Sequence, residues 1–392
     1  MCYAIPGKVT EITGSIITIE YFDISKKVRN DFIELALGDY VYAQGGFVIQ
    51  KVLPDEAKEI LQTWKEFFFQ LKETDLRLTR QTKDIYQIAN SVRQKHIGNA
   101  SCVHGIIEFS NYCRSNCLYC GLRKDNCKLK RYRMEIDEIV DLCDYAVNKL
   151  GFKALVLQSG EDLWYDDEKL LALTKKIFEK CKILLIFSIG ERELQTFVKL
   201  YEAGVRGVLL RFETSNEEIY KKIKPECKLS DRLNLIKKLT ELGYLIMTGF
   251  LIGLPDETEK DVLNNIKLSN DLKTELFSFG PFIPHPDTPL SNFQSPSLEL
   301  VLETTARARI LYPESKILVT TALETLDKEN AARSGLLAGA NSLMVNLTPK
   351  KYRDLYEIYP NRAGTDLEID ERIKKVISIL HSLGRVPADL GL

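Results

Sequence analysis

The chain has 392 residues, of which 54 are Lys or Arg and 55 are Asp or Glu, for a formal charge of −1; 45% are hydrophobic. A chain this long exceeds one small core and implies two or three folded units. Its balanced charge excludes the electrostatic footprint of a nucleic-acid binder.

Residues 1–53 carry short β-type runs, VTEIT, SIITIEYF and DYVYA, punctuated by Gly14, Gly38, Gly45 and Gly46, and read as a small antiparallel barrel. The opening MCYAIPGKV has neither a basic nor an apolar leader region. No window approaches about 18 uninterrupted apolar residues, so no membrane span is expected. Nine cysteines without an export signal argue against disulfides and for a reducing, cytoplasmic setting. From Pro54 the string EAKEILQTWKEFFFQLKE spaces its apolar residues three and four apart, as a helix does; a second helix covers about 83–96 and ends at Gly98. Segment 54–99 is therefore a helical connector, poor in Pro, Gly and Ser, rather than a loose linker.

Residues 100–392 alternate short apolar runs with amphipathic stretches. Candidate strands are 105–110, 153–159, 183–189, 207–212, 245–253, 276–282, 317–322 and 342–347. Eight strands with intervening helices match an α/β fold of the (β/α)₈ TIM-barrel type. The continuous apolar runs suit parallel strands buried on both faces. A doubly wound open sheet is the alternative, but it wants a glycine-rich phosphate loop after its first strand. A cysteine loop stands there instead, at what would be the C-terminal mouth of a barrel.

That loop reads CRSNCLYC, with Cys113, Cys117 and Cys120 spaced C-x₃-C-x₂-C and Tyr119 just before the last. Three thiolates can bind three irons of a 4Fe–4S cluster and leave the fourth open to chelate a small ligand. The alternative is a zinc site, for which Cys102, His104 and Cys127 are the nearby fourth ligands, none at zinc-finger spacing. Only four histidines occur, which argues against a His-built metal site. The basic string 123–133 reads as a solvated loop edge. The cysteine spacing with its aromatic resembles that of radical S-adenosylmethionine (SAM) enzymes, whose cluster cleaves SAM into methionine and a 5′-deoxyadenosyl radical.

Polar groups gather at the C-terminal ends of the predicted strands. Ser159, Gly160, Glu161 and Asp162 follow the second, a turn small enough for backbone to approach an amino acid and able to accept from the SAM ammonium. Ser188 follows the third. Arg211 and Glu213 alternate along the fourth and share a face, and Arg232 could pair a carboxylate bidentately. Gly253-Leu254-Pro255 closes the fifth, with backbone suited to pass under an adenine. PFIPHPDTPL (281–290) is a proline-stiffened loop from which His285 and Asp287 could reach inward. Thr320 and Thr321 end the seventh. Each also has a structural reading, since Arg–Glu pairs brace folds and strand-end threonines cap helices.

From about residue 84 to 384 the chain resembles HydE, the radical SAM maturase of FeFe-hydrogenase. The strings that carry this are IIEFSNYCRSNCLYCGLR (106–123), VLQSGED (156–162), RFETSN (211–216), GFLIGLP (249–255), GPFIPHPDTPL (280–290) and TTA (320–322). The resemblance implies one 4Fe–4S cluster on Cys113, Cys117 and Cys120, with SAM beside it at the barrel mouth. It implies SAM contacts from Ser159, Glu213 and Arg232; Tyr119, Gly160, Glu161, Ser188 and Leu254 join them by position. Arg211, Thr320, Thr321, Met344 and Tyr359 would line the cavity of a small substrate, an iron complex carrying cysteine, CO and cyanide. Implied partners are a reductant such as ferredoxin or flavodoxin and other hydrogenase maturation proteins.

Residues 1–60 resemble the HypC/HupF hydrogenase maturation chaperones on MCYAIPGKV (1–9) and GDYVYAQGGFVI (38–49). That resemblance implies metal carriage by Cys2, although Gln44 stands at the family's histidine. The barrel departs from its own family in two ways. No cysteine follows Cys227, so a C-terminal auxiliary cluster is absent, and His104 replaces an arginine expected at the barrel base to bind an anion. Cys143 and Cys181 sit outside the strands, unlike the barrel cysteines of biotin synthase. Two readings compete with a HydE-type enzyme. One is a related radical SAM enzyme with another substrate, methylornithine-synthase-like or serving Fe-hydrogenase cofactor synthesis; the other is a non-catalytic iron-ligand carrier. Removing residues 1–53 is expected to leave SAM cleavage unchanged.

Overall fold

The structure is a computed structural model and describes residues 3–79 and 84–391; Cys2 lies outside the described residues. Strands β1 (Gly7–Thr13), β2 (Ile16–Tyr21), β3 (Ile24–Arg29), β4 (Tyr40–Gln44) and β5 (Phe47–Val52) close into a small barrel in the order β1-β2-β3-β5-β4. Alternating burial in β2 points Ile17, Ile19 and Tyr21 inward onto Val9, Val28 and Val41. Helix α1 (Pro54–Thr79) starts on a proline, whose missing N–H has no intrahelical partner at that position anyway. It lays Phe68 and Leu71 against the small-barrel core. Helix α2 (Ile85–Ile97) is opened by Asp84, which accepts from Gln87 N, and stopped by Gly98 at φ 78°. Arg93 of α2 grips both carboxylate oxygens of Asp75 of α1 at 2.7 Å, with both side chains buried. Losing either partner would strand a buried charge, so the connector is a fixed strut.

The larger barrel begins with β6 (Ala100–Ser110), buried along its whole length. It continues through β7 (Ala154–Ser159), β8 (Leu184–Ser188), β9 (Gly207–Leu209) and β10 (Leu245–Thr248), which β11 (Leu251–Ile252) extends. Then come β12 (Leu276–Phe277), extended by β13 (Gly280–Pro281), β14 (Lys316–Ile317) and β15 (Ser342–Asn346). Neighbours pair in parallel in the order β14-β12-β10-β9-β8-β7-β6-β15, and a bridge from Leu318 to Ser342 joins the two edges. All eight expected runs are present, in a TIM-type arrangement.

Four of the runs, the fourth to the seventh, are markedly shorter than their sequences suggested. The fifth and sixth break where Gly249 packs so tightly that a side chain would lie 2.1 Å from Ser278 O. Strand β9 stops at Leu209, so Arg211 and Glu213 do not share a face through strand alternation. Glu213 instead takes a left-handed φ of 68° where it bridges Phe250 beyond the strand. Strand β14 stops at Ile317, because Thr320 caps the helix Thr321–Leu326 by accepting from Leu323 N.

The floor of this barrel is closed. Strand β16 (Val386–Pro387) pairs with the start of β6, and the C-terminal tail crosses beneath it. The β4–β5 turn plugs the centre: Gly45, at φ 56°, leaves no room for a Cβ, which would stand 2.6 Å from Leu245 and 2.8 Å from Leu184. Gln44 Nε2 donates to Ala388 O at 2.6 Å, and Arg206 meets Asp31 at 3.0 Å. Above the plug an apolar layer of Ile106, Val156, Ile186, Met247, Leu276 and Leu318 fills the interior. No helix among the described residues is long and apolar enough to cross a membrane.

Candidate active site at the barrel mouth

The cysteine loop leaves β6 on Asn111, a buried side chain that donates to the carbonyls of Lys130 and Leu355 and accepts from Tyr132 N. Arg131 donates to the carbonyls of Asn111, Leu122 and Arg123. Arg133 forks onto Asp162 at 2.7 and 2.9 Å and lies 3.8 Å over the Tyr112 ring. The basic string 123–133 is therefore only partly a solvated edge. Lys124 and Lys128 pair outward with Glu226 and Asp287, but Arg131 and Arg133 brace the cysteine loop from within.

Cys113, Cys117 and Cys120 face a cavity of about 300 Å³ at the mouth. The Gly160 turn presses against their loop: a Cβ there would stand 2.1 Å from Tyr112 O and 2.9 Å from the Cys113 Cβ. Glu161 N donates to Cys113 Sγ at 3.4 Å. Burial pushes all three thiols up, most of all Cys120. A bound cation reverses that preference by stabilising thiolates. Among the described residues, the one Cys, His, Asp or Glu trio with ligand atoms all within 4.8 Å is Cys102, His104 and Asp389, so the loop thiols are spread wider. A single zinc holds its ligands about 3.3–3.8 Å apart, whereas three corners of an iron–sulfur cube need the wider spacing. Cys102 and His104 also lie roughly 20–26 Å down β6 from the loop, and Cys127 is exposed. The residues fit a cluster and not zinc.

Of the mouth residues assigned from the sequence, the three cysteines, Tyr119, Ser159, Gly160, Glu161, Ser188, Arg211, Glu213, Arg232, Thr320, Thr321, Met344 and Tyr359 line this cavity, whereas Leu254, Asp162, His285 and Asp287 do not. Leu254 packs behind the wall with Ile219, Ile223, Leu251 and Phe282, and the close approach at Gly253 is to Pro296, not to a ligand. Tyr119 joins that same apolar cluster from the cavity side. Asp162 is turned away, held by Ser110 and Arg133. Asp287 points outward to Lys128 at 2.5 Å, and its N–H donates to Nδ1 of the buried His285. Tyr359 and Met344 reach the deeper wall.

The acidic and basic walls are locked together. The Glu161 carboxylate accepts from Ser115 Oγ at 2.8 Å and Glu191 N at 3.3 Å, and Arg232 Nη2 stands 3.6 Å away. Burial opposes its charge, but Arg232 and Lys224, with these hydrogen bonds, outweigh it and keep the carboxyl below its ordinary value. Arg232 does not form a bidentate pair. Its Nε takes Glu191 and its Nη1 donates to Arg211 O at 3.0 Å, leaving Nη2 without a hydrogen bond. Arg211 Nη2 approaches Glu213 Oε2 at 3.1 Å without hydrogen-bond geometry, and Arg211 Nε has no hydrogen-bond partner. A buried guanidinium with open donors is a costly arrangement unless a ligand completes it.

Several cavity residues escaped the sequence reading. Lys224 lines the cavity from the end of the helix Glu217–Ile223 but sits in an ordinary charged string, KKIKPEC. Glu108, Asn346 and Arg362 form a buried network on the deep wall. Only the placement of Glu108 inside the apolar run Ile106-Ile107-Glu108-Phe109 hinted at it.

Comparison with known proteins agrees with this geometry. The Radical SAM superfamily matches residues 107–268, the Biotin and Thiamin Synthesis associated domain residues 278–384, and the HupF/HypC family residues 1–64. The [FeFe] hydrogenase maturase subunit HydE of Thermotoga maritima is 40% identical over 303 residues, 77% of this chain and 86% of that protein. The 3-methylornithine synthase of Methanosarcina acetivorans is 29% identical across 82% of this chain and 91% of that protein. The methylornithine synthase PylB superposes with a TM-score of 0.68 at 24% identity, covering 82% of this chain and 94% of that one. The maturase HydG of Carboxydothermus hydrogenoformans gives 0.64 at 18% over 86% and 82%; both structures speak to the fold alone. With this identity over most of its length, the chain belongs to the HydE family of radical SAM enzymes and carries a HupF/HypC-family domain ahead of its barrel.

Proposed function

We propose that this enzyme serves the assembly of a hydrogenase metallocofactor, acting on a small iron- and cysteine-containing or amino-acid-like substrate. The observation that carries the proposal is a cysteine trio sharing one cavity with a guanidinium whose donors are unmet. In this reading Cys113, Cys117 and Cys120 hold a 4Fe–4S cluster. When bound, that cluster supplies the electron that cleaves SAM and yields a 5′-deoxyadenosyl radical. The chain's own groups orient and enclose the reactants. Glu213 accepts from an ammonium, and Arg232 Nη2 donates to a carboxylate of SAM. Ser159, Gly160 and Ser188 form the polar edge, and Tyr119 the apolar one.

Deeper in the cavity, Arg211 Nε and the Thr321 hydroxyl receive an anionic or carboxylate substrate, with Met344 and Tyr359 shaping the far wall. The apolar layer beneath excludes water from that end. Segment 1–53 is a docking or presenting domain, 54–99 the strut and 100–392 the catalytic barrel. A ferredoxin or flavodoxin supplies the electron in the cytoplasm, and other maturation proteins receive the product. The test is anaerobic activation of an apo FeFe-hydrogenase by a complete set of maturation proteins. Omitting this chain should abolish hydrogen evolution and adding it back should restore it; full activation without it, or none with it, would contradict the proposal.

A further inference from the structure

A second group of ligating side chains lies at the barrel floor, apart from the mouth. Cys102 and His104, two residues apart on β6 and so on one face of the strand, meet Asp389 from the C-terminal tail. One ligand atom from each lies within 4.8 Å of the others, and all three residues are buried. His104 Nε2 stands 2.9 Å from Asp389 Oδ2, while His104 Nδ1 is buried with no hydrogen-bond partner. A void of about 10 Å³ adjoins them, closed by Gln44 and Gly45 of the β4–β5 turn. One water-sized occupant fills such a space.

We propose that Cys102, His104 and Asp389 form a second metal site, holding one borderline-soft divalent ion, zinc or ferrous iron, at the seam between the small barrel, the first strand and the tail. One sulfur, one imidazole nitrogen and one carboxylate oxygen suit a tetrahedral ion of this softness, with the void providing the fourth position for water. Ligands of such an ion stand about 3.3–3.8 Å apart, so His104 and Asp389, at 2.9 Å, need to open slightly while the wider contacts, all within 4.8 Å, close by up to about an ångström.

The charges agree. Asp389 and Glu275 are negative in this pocket and Lys316, paired with Glu275, is positive. A divalent ion on a Cys102 thiolate brings the pocket to neutrality. The rival arrangement reaches neutrality with a protonated His104 beside Asp389 and no metal. An anion here, as an arginine in place of His104 would have favoured, would face Asp389 instead. The tail is already positioned for the ion: Ala388 N donates to Ser101 O and Lys153 N to Asp389 O, each at 2.7 Å. Binding would therefore staple three parts of the chain together without touching the reaction.

Elemental analysis of the anaerobically purified full-length protein, loaded with zinc or ferrous ion and desalted, tests this when acid-labile sulfide is measured alongside. Wild type should hold about one zinc per chain, or about one iron in excess of labile sulfide. Cys102→Ser and Asp389→Asn should lose that ion while keeping cluster iron and sulfide, which also reports their folding. If the variants fail to fold, X-ray absorption at the zinc edge of wild type decides, and a shell of one sulfur with nitrogen and oxygen is expected. Failure of wild type to retain either ion, equal retention by Cys102→Ser, or a shell without sulfur would each overturn the proposal.

Discussion

Arg211 shows what a single residue contributes here. Its carbonyl accepts from Arg232, its Nη2 leans on Glu213, and its Nε is buried in the cavity wall without a hydrogen-bond partner. A hydrogen bond to a charged group is worth about 1.5–3 kcal/mol, roughly 10- to 150-fold in affinity. Arg211→Met should weaken substrate binding by that range in a titration while uncoupled SAM cleavage stays near wild type. Equal loss of cleavage without substrate would assign Arg211 to SAM instead. The cysteine loop was legible in the sequence because three identical, chemically specific residues stand at a spacing that few other roles demand. Lys224 was not, because charged residues are common on helix ends and only the folded chain reveals which are buried. Arg131 and Arg133 were misread for the same reason, since composition does not say which way an arginine turns.

At the scale of elements, the strand-end turns set the site. Gly160 has a side-chain position already filled by Tyr112 O and the Cys113 Cβ. Gly160→Ala should displace the cysteine loop and lower iron incorporation severalfold with helical content retained by circular dichroism; normal iron loading would contradict this role. Behind the Gly253 turn, Glu257 accepts from Gly253 N at 2.6 Å and Asn265 Nδ2 at 3.3 Å. Burial pushes its carboxyl up to about 7. The folded state then binds a proton that the unfolded state gives up above its ordinary value near 4.5. Its contribution to stability is complete below that value and is lost as pH rises toward 7. Glu257→Gln should remove about 1–3 kcal/mol of the decline in urea stability between pH 5 and pH 8, and parallel pH profiles for the two proteins would refute this. The strand order and the barrel were readable from apolar runs. The breaks at Gly249 and Thr320 were not, because they depend on a neighbouring strand's carbonyl and on a helix cap.

At the scale of the molecule, the small barrel is a structural part of the large one. Arg206 and Asp31 meet across the seam with both side chains nearly buried, and Gly45 is packed onto Leu184 and Leu245. Removing residues 1–53 would expose this floor, so a truncated protein tests stability before it tests the expected retention of SAM cleavage. Asp31→Ala strands the Arg206 charge and should cost about 3 kcal/mol, lowering one common thermal transition; separate transitions with an unchanged large barrel would show the two to be independent. The contact was invisible in the sequence because Gly45 there reads only as a turn residue and nothing marks Asp31 as the partner of Arg206. The central claim is that three thiols at the barrel mouth build a SAM-cleaving cluster. It is tested most directly by anaerobic reconstitution followed by reduction with SAM. The account predicts one 4Fe–4S cluster per chain and release of 5′-deoxyadenosine, both lost in Cys117→Ala; full SAM cleavage by Cys117→Ala, or none by reconstituted wild type, would contradict it.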